Sequence, residues 1–237
     1  VTSADVDTLG VGHPHVGRVR VLFSERADGD FHLDPDDTGS PAIDLDRRRR
    51  AVVDLTWSQP NEVHGTTVLV VTSPGEHDLS EADALVTRCD DAVLGIWVGD
   101  CAPVALIGAD GTIAAVHAGW RGAADGVLQA TIAVMRELGS TQVRAVLGPC
   151  IHPCCYAFGD DDLDALVSRF GPGVEDVTAT GERALDMRSL VAVALAESGV
   201  VDLDDRSICT GCAADRYFSH RRRGERARQI MAVWRTT

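Results

Sequence analysis

The sequence predicts an α+β fold, one domain over 1–237 with mixed, largely antiparallel sheets flanked by helices. Three observations predict it. Short apolar runs of strand length recur along the chain, and segments with apolar positions at helical spacing mix with them after Gly122 without strict alternation. No internal repeat or long linker divides the sequence.

Residues 1–17 are polar and Gly-rich and read as a flexible lead-in. "RVRVLFS", from Arg18, alternates polar and apolar as a half-buried strand does. "DGDFHLDPDDTGSP", from Asp28, has loop composition. "DLDRRRR" reads as a solvated charged face, as does the later run "SHRRRGERAR". "AVVDLTW", "TTVLVVT" and "DALVT" read as short strands. Two more strands, joined by "ADG", lie within "VGDCAPVALIGADGTIAAVHAGWRG" (Val98 to Gly122). "GAADGVLQATIAVMREL" then shows helical spacing and stops at Gly139, and "QVRAVLG" returns to strand. "DDLDALVSRF" opens with acids that suit a helix N-terminus and ends at Gly171. "DMRSLVAVALAESG" is a further helix, with Gly199 as its stop.

Acidic residues number 36 against 22 basic ones, a net charge of −14 that repels a nucleic-acid backbone and argues against nucleic acid as a partner. Apolar runs such as "VLVV" are far shorter than the roughly 20 residues that span a bilayer, so no membrane is expected either. The opening residues show no secretory leader pattern, and a cytoplasmic protein is the expectation. Every basic residue is Arg and none is Lys, so a single Arg carries little weight as a phosphate ligand. Seven cysteines is an odd number; in a reducing compartment they read as metal ligands, nucleophiles or buried apolar groups.

The Val98 to Gly122 stretch permits a geometric inference. A three-residue loop at Ala109, Asp110 and Gly111 pairs Pro103 with His117 and places Cys101 diagonal to His117 on the same face. A thiolate and an imidazole so placed can share a metal, form a Cys/His nucleophile pair, or be a buried Cys beside a hydrogen-bonded His. After His117 two glycines bracket Trp120 and Arg121 at a strand-to-helix junction, which suits either an anion or a tight turn plugged by Trp120. Catalytic metals usually take three protein ligands, and His64 in "NEVHG" is the best third candidate because a turn precedes a strand there. His13, His15, His32 and His77 lie in polar segments and read as solvated.

Together "NEVHGTTV", "ADALVT", "GDCAPVAL", "HAGWRG", "LGPCIHPCCYAFG" and "FSHRRRGERARQ" resemble, in content and order, the YfiH-type laccase-domain family, also called the polyphenol oxidase or purine nucleoside phosphorylase family. The resemblance runs from about Trp57 to Trp234, and "HAGWRG" with the upstream "DC" is its most specific part. It implies a CNF/YfiH-like fold holding one zinc through His64, Cys101 and His117, with copper the lesser alternative. It also implies phosphorolysis of adenosine, inosine and methylthioadenosine, with adenosine deamination as a second activity. The partners are then a small purine nucleoside and phosphate, and the chain is expected to be a monomer. Arg121 and Arg221 are the candidate phosphate ligands, and Asp100 and Glu62 the candidate acids for proton transfer. By strand alternation Asp100 points away from the metal face, whereas Glu62 shares a face with His64 if that segment is extended.

Several positions depart from the family pattern. Glu62 stands where Gln is usual, Ala157 where Glu is usual, "ERADGDFHL" replaces Arg-x-Gly-Gly-Val-Ser, and "ERARQ" replaces Thr-Gly-Arg-Gln while keeping Arg228 and Gln229. Alternatives therefore stand beside phosphorolysis: a copper-dependent polyphenol oxidase, an amide hydrolase with Cys101 as nucleophile and His117 as base, or a zinc-holding binding module without activity. Cys150, Cys154 and Cys155 with Cys209 and Cys212 raise the option of a second, structural zinc, but the irregular spacing of the first group favours core or site-lining thiols.

Overall fold

A computed structural model describes residues 18–32 and 40–236. The lead-in at 1–17, with His13 and His15, lies outside the described residues. β1 (Arg18–Phe23) forms as its alternation predicts. "DLDRRRR" and the start of "AVVDLTW" form helix α1 (Ser40–Val52), so the strand expected over "AVVDLTW" begins only at Thr56, while Arg47 and Arg50 give the basic run its solvated face. Arg47 pairs with Asp44 at 2.8 Å and Arg50 with Asp46 at 2.9 Å, one helical turn apart. Leu45 turns inward, and buried Arg49 makes two hydrogen bonds, 3.0 and 2.9 Å, to Asp78. These i to i+3 and i to i+4 acid–base spacings are the helical signal within the basic run.

Next come β2 (Thr56–Ser58), β3 (Val68–Val71), β4 (Ala84–Thr87) and β5 (Ala92–Val98). β5 is an unpredicted central strand, "AVLGIWV", whose every residue is buried. The predicted hairpin is β6 (Ala102–Gly108) and β7 (Ile113–Ala118), and its register pairs Pro103 with His117. The helix predicted from Gly122 is two, α2 (Trp120–Asp125) and α3 (Val127–Glu137), because Gly126 between them adopts a left-handed φ of 101°. β8 (Val143–Leu147), α4 (Asp160–Phe170), β9 (Glu175–Val177), β10 (Arg183–Leu185) and α5 (Met187–Glu197) follow. Asp186 caps α5, accepting from the backbone N–H of Arg188 and Ser189. The chain finishes with β11 (Leu203–Asp205), α6 (His220–Arg223) and β12 (Gln229–Thr236).

The large, six-stranded sheet runs β11-β8-β6-β7-β4-β3 and is antiparallel except for its two outer pairs; a small, four-stranded sheet runs β1-β12-β5-β2 with only β2/β5 parallel, and β9 and β10 form a separate antiparallel pair. Side-chain alternation sorts the core into three slabs. Val19, Val21, Leu94, Ile96, Met231 and Val233 from the small sheet meet Leu85, Ala105, Ile113 and Val146 from the large one. On the outer face of the large sheet, Val86, Val104, Leu106 and Val116 pack on residues of α2, α3, α4 and α5. On the outer face of the small sheet, Trp57, Trp97 and Trp234 pack with Leu45 of α1 and Phe31. The order is therefore helix, sheet, sheet, helices, and strands buried on both faces read as continuous apolar runs. Among the described residues no helix is long and apolar enough to cross a membrane.

Candidate functional site

The hairpin delivers Cys101, just before β6, and His117, near the end of β7, to one place, and the turn at His64 meets them there. One donor atom from each of His64, Cys101 and His117 lies within 4.8 Å of the others. The Cys101 Sγ is 3.9 Å from His64 Nε2, and the two imidazoles meet edge to face at 4.8 Å between centroids. His117 is buried, Cys101 partly so, and His64 exposed. His64 adopts a φ of 60°, so the segment is not extended there, contrary to the condition set for Glu62 above. A left-handed backbone at a histidine is held only if its surroundings fix it.

Asp83, at the head of β4 and fully buried, is what fixes it. Its carboxylate accepts from the backbone N–H of His64 at 2.9 Å and of Gly65 at 2.7 Å, and lies 2.8 Å from His117 Nδ1. With His117 donating from Nδ1, Nε2 is the nitrogen turned to the site, the carboxylate–histidine arrangement that orients metal ligands. Sequence reasoning assigned Asp83 no role. Its one signal was an acid opening the apolar run "DALVT".

The glycines of "HAGWRG" have steric causes. A Cβ on Gly119 would stand 2.9 Å from His64 Cδ2 and 3.5 Å from both Cys101 Sγ and His117 Cε1, and one on Gly122 would stand 2.7 Å from the carbonyl oxygen of Gly65. Gly119 thus keeps open the space beside the three donors.

Glu62 also reaches the cluster. Its Oε1 accepts the Trp97 backbone N–H at 2.9 Å, and its Oε2 lies 3.6 Å from His117 Nε2. Burial, with Cys101 and Asp83 nearby, pushes the Glu62 carboxyl well up despite the opposing pull of His117. Burial alone would lower His117, but Glu62, Cys101 and Asp83 outweigh it and hold the imidazole well above its ordinary value. Burial likewise opposes ionisation of Cys101, yet His117 and His64 bring its thiol down to about 6. For Asp83, burial is outweighed by His117 and the two backbone N–H donors, which lower it.

Asp100 takes a different post. Its φ is 128°; Oδ1 accepts the Thr210 hydroxyl and Oδ2 the Arg221 backbone N–H, both at 2.6 Å. Both oxygens are engaged in holding the 210–221 segment.

All seven candidate residues line one cavity of about 440 Å³. Arg121 stacks on Trp120 at 4.1 Å and Arg221 on Tyr156 at 4.8 Å, which places two guanidinium groups on this cavity. His32, expected to be solvated, lines it too, 4.9 Å from the Trp97 ring. Arg228 also lines it, whereas buried Gln229 brackets the backbone of Phe218.

A sequence profile described as multi-copper polyphenol oxidoreductase laccase matches residues 41–236. A protein of Corynebacterium glutamicum named purine nucleoside phosphorylase is 33% identical, covering 91% of this chain and 94% of its own length. Another so named, from Xylella fastidiosa, is 34% identical over 83% of this chain and 80% of its own. The crystal structure of Bacillus licheniformis hypothetical protein YfiH superposes with a TM-score of 0.82 at 23% identity, covering 92% of this chain and 93% of that one, which shows the shared fold. The ordered motifs, the layered architecture and these matches agree: the chain belongs to the YfiH-type multi-copper polyphenol oxidoreductase laccase family.

Proposed function

We propose that the protein is a metal-dependent purine nucleoside phosphorylase whose metal, zinc, is held by His64, Cys101 and His117. The observation that carries this reading is that one cavity joins a three-donor cluster with two guanidinium groups. Relatives named purine nucleoside phosphorylase supply the reaction class.

The donor set fits such an ion. Two nitrogens and one sulfur converge, Asp83 orients His117, and Gly119 leaves room where any side chain would intrude. When bound, the ion supplies a fixed positive charge that polarises whatever nucleoside or water oxygen faces it. Arg121 and Arg221 hold phosphate for attack on the sugar C1 carbon, their charge offsetting its own. Asp100 positions Arg221 by fixing its backbone N–H. Glu62, standing beside the donor cluster with its carboxyl pushed up by burial, is the group placed to hand a proton to the departing purine. Deamination of adenosine is the second activity of the same cavity: water adds to the purine carbon that bears the amino group, Glu62 carries the water's proton to the amine, and ammonia leaves; Glu62 standing beside the donor cluster favours it.

The test follows adenosine by chromatography, with and without phosphate, on protein of assayed metal content. Phosphate-dependent adenine release with zinc bound supports phosphorolysis. Inosine formed without phosphate reports the second activity, and inosine with no adenine in either condition moves the reading from phosphorolysis to deamination. A His2Cys set also suits copper, so copper content with phenol oxidation in place of nucleoside turnover would overturn the zinc assignment. Bound zinc without turnover would leave a binding module, with Glu62 and Ala157 the first positions to revert.

A further inference from the structure

Four of the seven cysteines converge away from the cluster described above. Cys154 and Cys155 sit on the single tight turn Pro153–Cys155; Cys209 and Cys212 sit on a turn more than fifty residues later. Their Sγ atoms all lie within 4.8 Å of one another. Cys155 to Cys212 is 3.4 Å, Cys154 to Cys212 is 3.5 Å, Cys154 to Cys209 is 3.7 Å and Cys154 to Cys155 is 3.9 Å. Four thiolates around one tetrahedral zinc, with Zn–S bonds of about 2.3 Å, stand about 3.8 Å apart. The observed spacings bracket that value.

We propose that Cys154, Cys155, Cys209 and Cys212 hold a second zinc ion, a structural tetrathiolate site. Three further observations favour a cation over a set of idle thiols. Cys209 Sγ accepts the backbone N–H of His152 at 3.4 Å, so a backbone donor anchors this sulfur within the cluster. Gly211, between the last two cysteines, is pressed so close that a Cβ there would stand 2.7 Å from Cys155 Cβ and 2.9 Å from Cys155 Sγ. The turn therefore approaches as only glycine permits, bringing the two pairs of sulfurs together. Arg223 donates to the carbonyls of Gly211 at 3.1 Å and Thr210 at 3.2 Å, which sets one guanidinium on the turn that would carry a negatively charged metal–thiolate group. Cys154 and Cys155 are neighbours in sequence, about 3.8 Å apart at Cα, closer than the usual span of a disulfide between them. Cys209 is buried, Cys154 and Cys155 partly so, and Cys212 exposed, which leaves an open side for the ion to enter.

The site would clasp a segment that lines the cavity to one that holds a lining residue in place. Tyr156 directly follows Cys155, and the hydroxyl of Thr210, next to Cys209, holds Asp100 beside Cys101. The sequence raised a second zinc on these cysteines, and the irregular spacing in "CIHPCC" counted against it; the two ligand pairs meet only through folding, and under this proposal the reading as core or site-lining thiols gives way for these four. Cys150, fully buried in the core beside the helices, keeps it.

The test counts metal. Purified full-length protein is assayed for zinc per chain, beside a His64→Ala/Cys101→Ser variant that disables the first cluster and a Cys154→Ser/Cys212→Ser variant that disables the second. The expected result is two zinc ions in the parent and one in each variant. Cobalt added to the metal-stripped His64→Ala/Cys101→Ser protein should give thiolate-to-cobalt charge-transfer absorption at one equivalent, with four thiols becoming protected from a thiol reagent. That measurement leaves all four cysteines in place, so it stands even if the Cys154→Ser/Cys212→Ser protein fails to fold. A metal-free His64→Ala/Cys101→Ser protein with no cobalt absorption overturns the proposal, as does a disulfide among these cysteines in place of metal.

Discussion

Replacing Asp83 by asparagine keeps the side chain's shape and removes one acceptor from a fully buried position that serves three donors. Oδ1 faces the His64 N–H at 2.9 Å and His117 Nδ1 at 2.8 Å, while Oδ2 faces the Gly65 N–H at 2.7 Å. Whichever way the amide is turned, its NH₂ confronts at least one of these donors. A buried donor left unpaired costs about 1–3 kcal/mol. At roughly 2–4 °C per kcal/mol for a chain of this size, the metal-free variant should melt roughly 2–12 °C lower. Loss of the carboxylate also frees His117 to turn, and removing such a partner typically weakens metal binding by about 10–100-fold. The assay is chelator competition for zinc, run beside thermal melts of the metal-free protein. The pH dependence has a definite sign. Because Asp83 is held below its ordinary value, its stabilisation is fully present above about pH 4 and is lost as pH falls through the depressed value, so the gap between parent and variant should close in acid. An Asp83→Asn protein that melts with the parent and binds zinc equally tightly would refute the assignment of Asp83 to both backbone and ligand.

Further perturbations probe the other groups. Ala at Arg121 or Arg221 should raise the KM for phosphate by about tenfold or more, since hydrogen bonds to charged groups are worth about 1.5–3 kcal/mol, with little change in nucleoside KM; unchanged phosphate kinetics would remove that residue from the anion site. Glu62→Gln should lower kcat by about 10²–10⁴ and leave binding nearly intact, and full activity would place the proton donor elsewhere. In metal-free protein, alkylation of Cys101 tracked by peptide mapping should stay fast down to about pH 6 and then fall, because the thiolate is lost as pH drops through that value; a fall near the ordinary thiol value would contradict the pairing with His117 and His64. Gly119→Ala should push His64 aside, with overpacking of about 1–3 kcal/mol and weakened zinc binding read by the same competition, and unaltered zinc affinity would show that the space is not needed.

What the residues alone determined was local or set by short loops. Cys101 and His117 share a face because a three-residue turn sets the register of β6 on β7, and side-chain parity does the rest. His64 came from a turn beside a strand, and the glycine stops of α4 and α5 came from backbone preference. Alternation and helical period report which way a side chain faces, but not which distant segment it meets. Asp83 and His117 are 34 positions apart and share β4 and β7 as sheet neighbours, so their contact exists only once the large sheet is assembled. Glu62 reaches His117 because the Trp97 backbone N–H on β5 draws its carboxyl inward, and β5 belongs to the other sheet. Cys154 and Cys212 are 58 positions apart, brought together by turns that neither spacing nor composition foretells. The sequence determined the faces of Cys101 and His117 through periodicity and turn length; only the tertiary structure, by packing one sheet on another, decided which charges and thiols those faces meet.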